Sequence, residues 1–153
     1  MATAADFTFL EFADAEDAEL SVVLIGTTRP EPERHWAAAY DFELRVNGEH
    51  AGSINFRAQD TENLRLYGGH FAYGVEPEFR GHHYAERGVR LLLPFARAHG
   101  YADVIITCNP DNWASRRTCD RLGAELLEIV ALPPDNDMYL EGEREKCRYR
   151  VVL

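Results

Sequence analysis

Residues 73–85 read Tyr73-Gly74-Val75-Glu76-Pro77-Glu78-Phe79-Arg80-Gly81-His82-His83-Tyr84-Ala85. A strand pattern from His70 ends at Val75, and a proline and a glycine interrupt it. From Tyr84 the period changes: Ala85, Val89, Leu92, Leu93 and Ala96 fall at helical spacing, while Arg87, Arg90 and Arg97 take the opposite face. The segment is therefore a strand, a short loop and the start of an arginine-bearing helix over Tyr84–His99, which Gly100 stops. In physical terms such a corner suits an anion. The first N–H groups of a helix have no partner within it, the positive end of its dipole lies there, and Arg80 adds a charged donor at the rim. The bland alternative is a glycine-containing corner that binds nothing. Pro94 removes one backbone donor, so a bend or a loosened turn is expected near it.

Upstream, Tyr40, Phe42, Leu44 and Val46 alternate with Asp41, Glu43, Arg45 and Asn47, the period of a half-buried strand. Asn47-Gly48 supplies two positive-φ positions for a tight hairpin, and Gly52, Ile54 and Phe56 continue on its partner. Leu20–Ile25 reads as an earlier strand, and Pro32–Ala39 is a short stretch before the hairpin. Downstream, Asp103–Cys108 is a β-branched strand. A second helix follows from Asn112 as N-cap to Leu122, closed by Gly123. Glu125–Leu132 and Lys146–Leu153 are two last strands, and the stiff segment Leu132–Asp137 is read as loop. The order predicts a single α+β (mixed α/β) domain over residues 1–153: a mostly antiparallel sheet with few helices.

The 153 residues carry 26 acidic and 16 basic side chains, a net charge of −10, which argues against nucleic acid as a partner. The excess is uneven. Arg80–Arg121 holds seven arginines against four carboxylates, and the rest holds nine basic against twenty-two acidic side chains. A basic segment in an acidic chain suits a small anionic ligand, with the acidic remainder able to attract a cationic second substrate. No apolar run reaches membrane length. The first twenty residues contain six carboxylates and no Lys or Arg, which fits neither a signal nor a transit peptide. Cys108, Cys119 and Cys147 form no CxxC pair, as expected in a reducing compartment. A cytoplasmic protein with no structural metal is expected, His82-His83 lacking a third ligand.

With Val75, Pro77, Arg80 and Ala85 in place, the chain resembles the GNAT superfamily of acyl-CoA-dependent N-acyltransferases, whose signature is (Gln/Arg)-x-x-Gly-x-(Gly/Ala) after a strand ending Val-x-Pro-x-x. His83 stands where the signature has its glycine. A second family feature, a helix opened by Asn and closed by Gly, is matched by Asn112, Ser115 and Gly123, with Cys119 where a tyrosine is frequent. The resemblance spans roughly Tyr40–Leu132. It implies a sheet with two splayed parallel strands, His70–Val75 and Asp103–Cys108, that admit acetyl-CoA as co-substrate. Tyr73 and Val75 would pair with the pantetheine arm, Arg80, Gly81, His82, His83, Tyr84 and Ala85 would hold the pyrophosphate, and Asn112 and Ser115 would reach in from the second helix. Arg87, Arg116, Arg117 and Arg121 are candidates for the adenosine 3′-phosphate, or are solvated helix faces. A Cβ at His83 can crowd the phosphate, unless the imidazole points outward or donates to it.

The implied chemistry is direct attack of a primary amine on the thioester. It needs a base, a donor for the carbonyl oxygen, expected at a strand N–H near Val75, and an acid for the thiolate. His70 and Glu76 are the base candidates, with Asp60 and Glu62 as loop carboxylates able to meet a cationic amine. Cys119 or Tyr139 would be the acid, with Tyr84 as another hydroxyl, and Cys119 also admits an acyl-cysteine route. The plainer readings are a strand histidine and a buried cysteine filler. The family usually sets two helices between its first two strands, and only Pro32–Ala39 stands there, so the acceptor pocket is open or is completed by a second copy in a homodimer. The alternatives are a GNAT-fold acyl-CoA-binding module without turnover and a small α+β interaction domain.

Overall fold

A computed structural model describes residues 7–153. Strand β3 (Ala39–Val46) buries Tyr40, Phe42 and Leu44 completely, as its alternation requires, and turns through Asn47 (φ 50°) and Gly48 (φ 83°) into β4 (Glu49–Arg57). Around this hairpin the chain adds β1 (Ala15–Asp17), β2 (Leu20–Thr28) and β5 (Phe71–Val75), giving an antiparallel five-stranded sheet in the order β1-β2-β3-β4-β5. The strand from Leu20 runs three residues beyond its expected end, past a register shift between Leu24 and Gly26. Only one 3₁₀ turn, Pro32–Arg34, separates β2 from β3.

Helix α1 (Tyr84–Ala98) lies on the inner face of this sheet and runs through Pro94 without interruption. Val89, Leu92, Phe95 and Ala96 meet Phe42, Leu44, Ile54 and Phe56 in one core. Contact is closest at Gly88, where a Cβ would lie 2.7 Å from Ile54 Cδ1 and 2.8 Å from Leu44 Cδ2. At the far end of the helix, His99 Nδ1–H donates to Phe95 O (2.8 Å), which leaves Nε2 to accept from the Tyr40 hydroxyl (2.8 Å). That hydroxyl in turn accepts from Leu10 N–H (2.7 Å), tying the N-terminal segment down.

The remaining strands, β6 (Asp103–Cys108), β7 (Glu125–Ala131) and β8 (Glu145–Val152), form a separate antiparallel sheet, β6-β8-β7. The result is the expected α+β architecture, divided into two sheets among the described residues. Helix α2 (Trp113–Arg121) packs beside β6, and Asn112 caps it by accepting from Ser115 N–H (3.2 Å). The loop reading of Leu132–Asp137 stops short of a one-turn helix, α3 (Asp137–Leu140), capped by Asn136. A π-helical turn at Leu64–Gly68 leads into β5. The fit at Gly88 gives a direct test: Gly88→Val should destabilise the fold by about 1–3 kcal/mol through overpacking, read as a lower denaturant midpoint at unchanged m-value.

Candidate active site

β5 and β6 sit side by side in sequence logic but share no ladder. They touch where His70 N–H donates to Ile105 O (2.7 Å) and Ile105 N–H donates back to His70 Nδ1 (2.9 Å). Gly69 (φ 74°) makes that approach possible, since a Cβ there would lie 3.0 Å from Thr107 N. Beyond His70 the strands belong to different sheets and a gap opens. Arg57 N–H donates to His70 O (2.8 Å) and Glu76 N–H to Ala51 O (2.8 Å), so by strand alternation residues 72 and 74 between them turn their peptide groups to β4. The peptide groups of Tyr73 and Val75 therefore face the gap.

The gap is a cleft of about 570 Å³. Tyr73, Gly74 and Val75 form one wall, Asn112, Ser115 and Arg117 of the α2 segment the other, and Arg80, Gly81, His83, Tyr84 and Ala85 line the mouth at the start of α1. Gly81 has φ 93°, and a Cβ there would meet nothing within 4 Å. His83 occupies the N-cap of α1 in the left-handed conformation (φ 61°, ψ 31°) and makes no side-chain cap hydrogen bond. The backbone thus takes at His83 a shape that a glycine would adopt without strain, and the orphan N–H groups of the first helical turn face the cleft mouth uncapped. His82 does not line the cleft; its ring lies against Tyr84 at 5.3 Å.

The arginines divide sharply. Arg87 is tied to Asp17 Oδ2 (2.8 Å) and Glu19 Oε1 (2.8 Å), and its hydrogen bond, with help from the Tyr84 hydroxyl, holds the Glu19 carboxyl down at about 2. Arg116 donates to the Tyr149 hydroxyl (3.0 Å) and Pro110 O (3.0 Å). Neither is available to a phosphate. Arg80, Arg117 and Arg121 line the cleft instead, Arg80 with its Nε–H on Val75 O (3.1 Å) and Arg121 with Glu86 at 3.7 Å.

The four side chains expected to do acid–base work do not converge there. His70 is fully buried, with Nδ1 accepting from Ile105 and Nε2 facing Asp60 Oδ1 at 3.2 Å, and burial pulls its pKa below the usual 6.5. It is a neutral link between the sheets. Glu76 is exposed beside His50 (3.6 Å), and Tyr139 on α3 lies under the Arg144 guanidinium (3.8 Å). Asp60 is engaged by Arg65 and His70, away from the cleft. Cys119 is fully buried behind the wall and does not line the cleft, and desolvation pushes its thiol up to about 12, which disfavours the thiolate a nucleophile would need. The side chain that sequence reasoning missed is Tyr73, considered there for its backbone alone. Its hydroxyl crosses the gap to Ser115 Oγ (2.9 Å) and comes within 3.8 Å of Cys119 Sγ, and burial raises its pKa, keeping it protonated. Only the partner across the gap, 42 positions away, marks this tyrosine out.

A family model described as an acetyltransferase (GNAT) domain matches residues 4–125. No curated protein gives a match. Among solved structures, the apo form of RimL, a ribosomal L7/L12 alpha-N-protein acetyltransferase, is similar with a TM-score of 0.58 at 20% identity, over 75% of this chain and 61% of that one. MccE, a microcin C7 self immunity acetyltransferase solved with acetyl-CoA and AMP, gives 0.60 at 20% identity over 75% of this chain and 61% of its own. A ribosomal-protein-S5-alanine acetyltransferase from Vibrio fischeri gives 0.68 at 14% identity, over 92% and 97%. These are likenesses of fold.

Two outcomes follow from the geometry. His83→Gly should stabilise the fold by about 1 kcal/mol, seen as a raised thermal midpoint, because it relieves a left-handed residue that bears a Cβ. For His70, whose native pKa is depressed, the unfolded chain takes up a proton that the native state resists, so its stabilisation is held above about pH 6.5 and lost as pH falls below that value. His70→Asn, whose carbonyl can accept from Ile105 N–H, should flatten the fall in unfolding midpoint between about pH 7 and about pH 5.

Proposed function

This chain belongs to the GNAT acetyltransferase family, and from that membership and the shape of the cleft we propose that it transfers an acetyl group from acetyl-CoA to a primary amine. The observation that carries the reading is the uncapped start of α1 at the mouth of the gap: Gly81 and His83 both at positive φ, no side chain capping the helix, and Arg80 at the rim. Such an arrangement offers several N–H donors and the positive end of a helix dipole to one anion.

The N–H groups of Gly81 to Ala85 would take the pyrophosphate. The gap-facing peptide groups of Tyr73 and Val75 would pair with the pantetheine amides as an added strand does. Asn112 and Ser115 would contact the same arm from α2, and Arg117 and Arg121 would neutralise the 3′-phosphate. Acetyl-CoA supplies an activated acetyl group as a thioester. In the transfer the amine nitrogen forms a bond to the carbonyl carbon, the carbon–sulfur bond breaks, one amine proton leaves and the departing sulfur gains one. A gap-facing N–H of β5 is the donor for the carbonyl oxygen. The Tyr73 hydroxyl, held by Ser115 and kept protonated, is the proton source on the cleft wall, with Cys119 as the packing behind it.

The reading includes a cytoplasmic location, supported by three unpaired buried thiols. Among the described residues no helix is long and apolar enough to cross a membrane. A homodimer would cover Leu126, Leu127 and Ile129, exposed along β7.

Acetyl-CoA at a hundred times its Kd should stabilise the protein by about 2.7 kcal/mol, a shift in thermal midpoint that ATP and NAD do not match. Gly81→Pro removes one N–H and fixes φ at a negative value, and it should abolish that shift. Tyr73→Phe should keep acetyl-CoA binding and lower kcat by about a hundredfold. Binding with no transfer to any amine would favour the binding module; no binding by folded protein would overturn the reading.

A further inference from the structure

The five-stranded sheet has a second cleft, of about 380 Å³, lined by Thr28, His35, Trp36, Asn55, Arg57 and Leu64 among others. Asn55 and Arg57 alternate along β4 with Ile54 and Phe56, which face the core, so this cleft opens on the side away from α1. It exists because the β2–β3 connection is so short. One 3₁₀ turn and a Glu31–Trp36 bridge stand there, leaving Trp36 47% exposed at the rim.

Arg57 is the anomaly in it. Its Nη1 is buried without any hydrogen-bond partner, and no carboxylate among the described residues pairs with its guanidinium. Asp41, on the same face of the sheet, accepts from Asn55 Nδ2 (2.7 Å), and its charge favours the guanidinium without forming a salt bridge to it. Other shielded cations in the fold are matched: Lys146 by Glu143 and Asn109, Arg148 by Glu128, Arg87 by Asp17 and Glu19. A desolvated, unpaired cation is costly, and burial disfavours the charged form here too. An arginine keeps its charge and its planar fork of donors even so, and the group that best satisfies that fork is an oxyanion.

The cleft also lies next to the closed end of the gap. Arg57 N–H bonds to His70 O (2.8 Å), and Asn55 sits opposite Ala72, the residue before Tyr73. One strand therefore separates Arg57 from the wall that carries Tyr73, the proton source. We propose that this second cleft holds the acceptor and that Arg57 binds an oxyanion on it, a carboxylate or a phosphate, so that the substrate carries both a primary amine and an anionic group. Trp36 and Leu64, which line the same cleft, offer apolar walls for the carbon skeleton between the two. The identity of the anion's bearer as acceptor rests on the acetyl-transfer reading; the anion site itself does not.

The test compares wild type with Arg57→Gln and Arg57→Lys, using amines paired with and without the anion: leucine against 3-methylbutylamine, O-phosphoethanolamine against ethanolamine, and inorganic phosphate alone. At roughly ten-millimolar ligand, the member of a pair that carries the anion should raise the thermal midpoint of wild type, its partner without the anion should not, Arg57→Gln should lose the shift and Arg57→Lys keep part of it. Which pair responds separates carboxylate from phosphate. Should Arg57→Gln not fold, Arg57→Met, which retains an alkyl stem of similar reach, carries the comparison. In acetyl transfer, kcat/KM should favour the anionic amine by about tenfold or more, with the preference lost in the variant through KM while acetyl-CoA affinity is unchanged. Equal shifts within each pair, or shifts that survive in Arg57→Gln, overturn the site. A shift with inorganic phosphate as large as with any amine, and no preference in transfer, overturns its assignment to the acceptor. Failure of wild type to bind acetyl-CoA would instead remove the transfer reading and leave the anion shift to be judged by itself.

Discussion

Two sheets meet at His70, and the working parts of the molecule depend on that meeting. Its main chain donates to Ile105 and its ring accepts from Ile105, so one residue performs on both its backbone and its side chain the pairing that a continued ladder would have performed. A buried N–H left without that acceptor would be expensive. Because the joint is made at one end only, the strands diverge beyond it, and the peptide edge of β5 is exposed to a cleft without being exposed to another strand. The same joint requires a neutral imidazole, since protonation at Nδ1 would place two donors face to face.

The wide end of the gap is held from a different direction. Tyr84 and Arg87, in the first turn of α1, are anchored to Glu19 and Asp17 beside the turn between β1 and β2. That anchorage takes Arg87 out of the ligand's reach and fixes where the helix begins. With the helix start set by ion pairs behind it, the loop in front has to close a fixed distance, and it does so with two positive-φ residues, only one of which is a glycine. The strain at His83 is thus the local cost of a corner whose two ends are determined elsewhere.

The parts that were readable in the sequence are those encoded by neighbours. Alternation and Asn47-Gly48 mark the hairpin without outside help, and Asn112 and Gly123 mark both ends of α2. The cleft lining was legible for the same reason, since most of it comes from one strand–loop–helix corner and one cap. The acid and base candidates were not, because their roles are decided by residues far along the chain: His70 by Ile105, Tyr73 by Ser115, Cys119 by burial alone. Arg57 lies on the polar side of an alternating strand, where a charged residue reads as solvated, and nothing local reveals that its guanidinium lacks a partner. β1, the π-helical turn and α3 are too short to display a period.

The strand order of the larger sheet has a kinetic meaning. Its five strands are neighbours in space in the same order as in sequence, each joined to the next by an antiparallel ladder. Every pairing closes a short loop, so the entropic barrier to assembling this half is low. The smaller sheet is different: β8, the last strand, must insert between β6 and β7 and pair with both. Chain order therefore favours early formation of the meander, with the last strand's arrival completing the second wall. The cleft between the sheets is then among the last features of the molecule to exist, and a chain halted before β8 docks would hold a formed hairpin core without it.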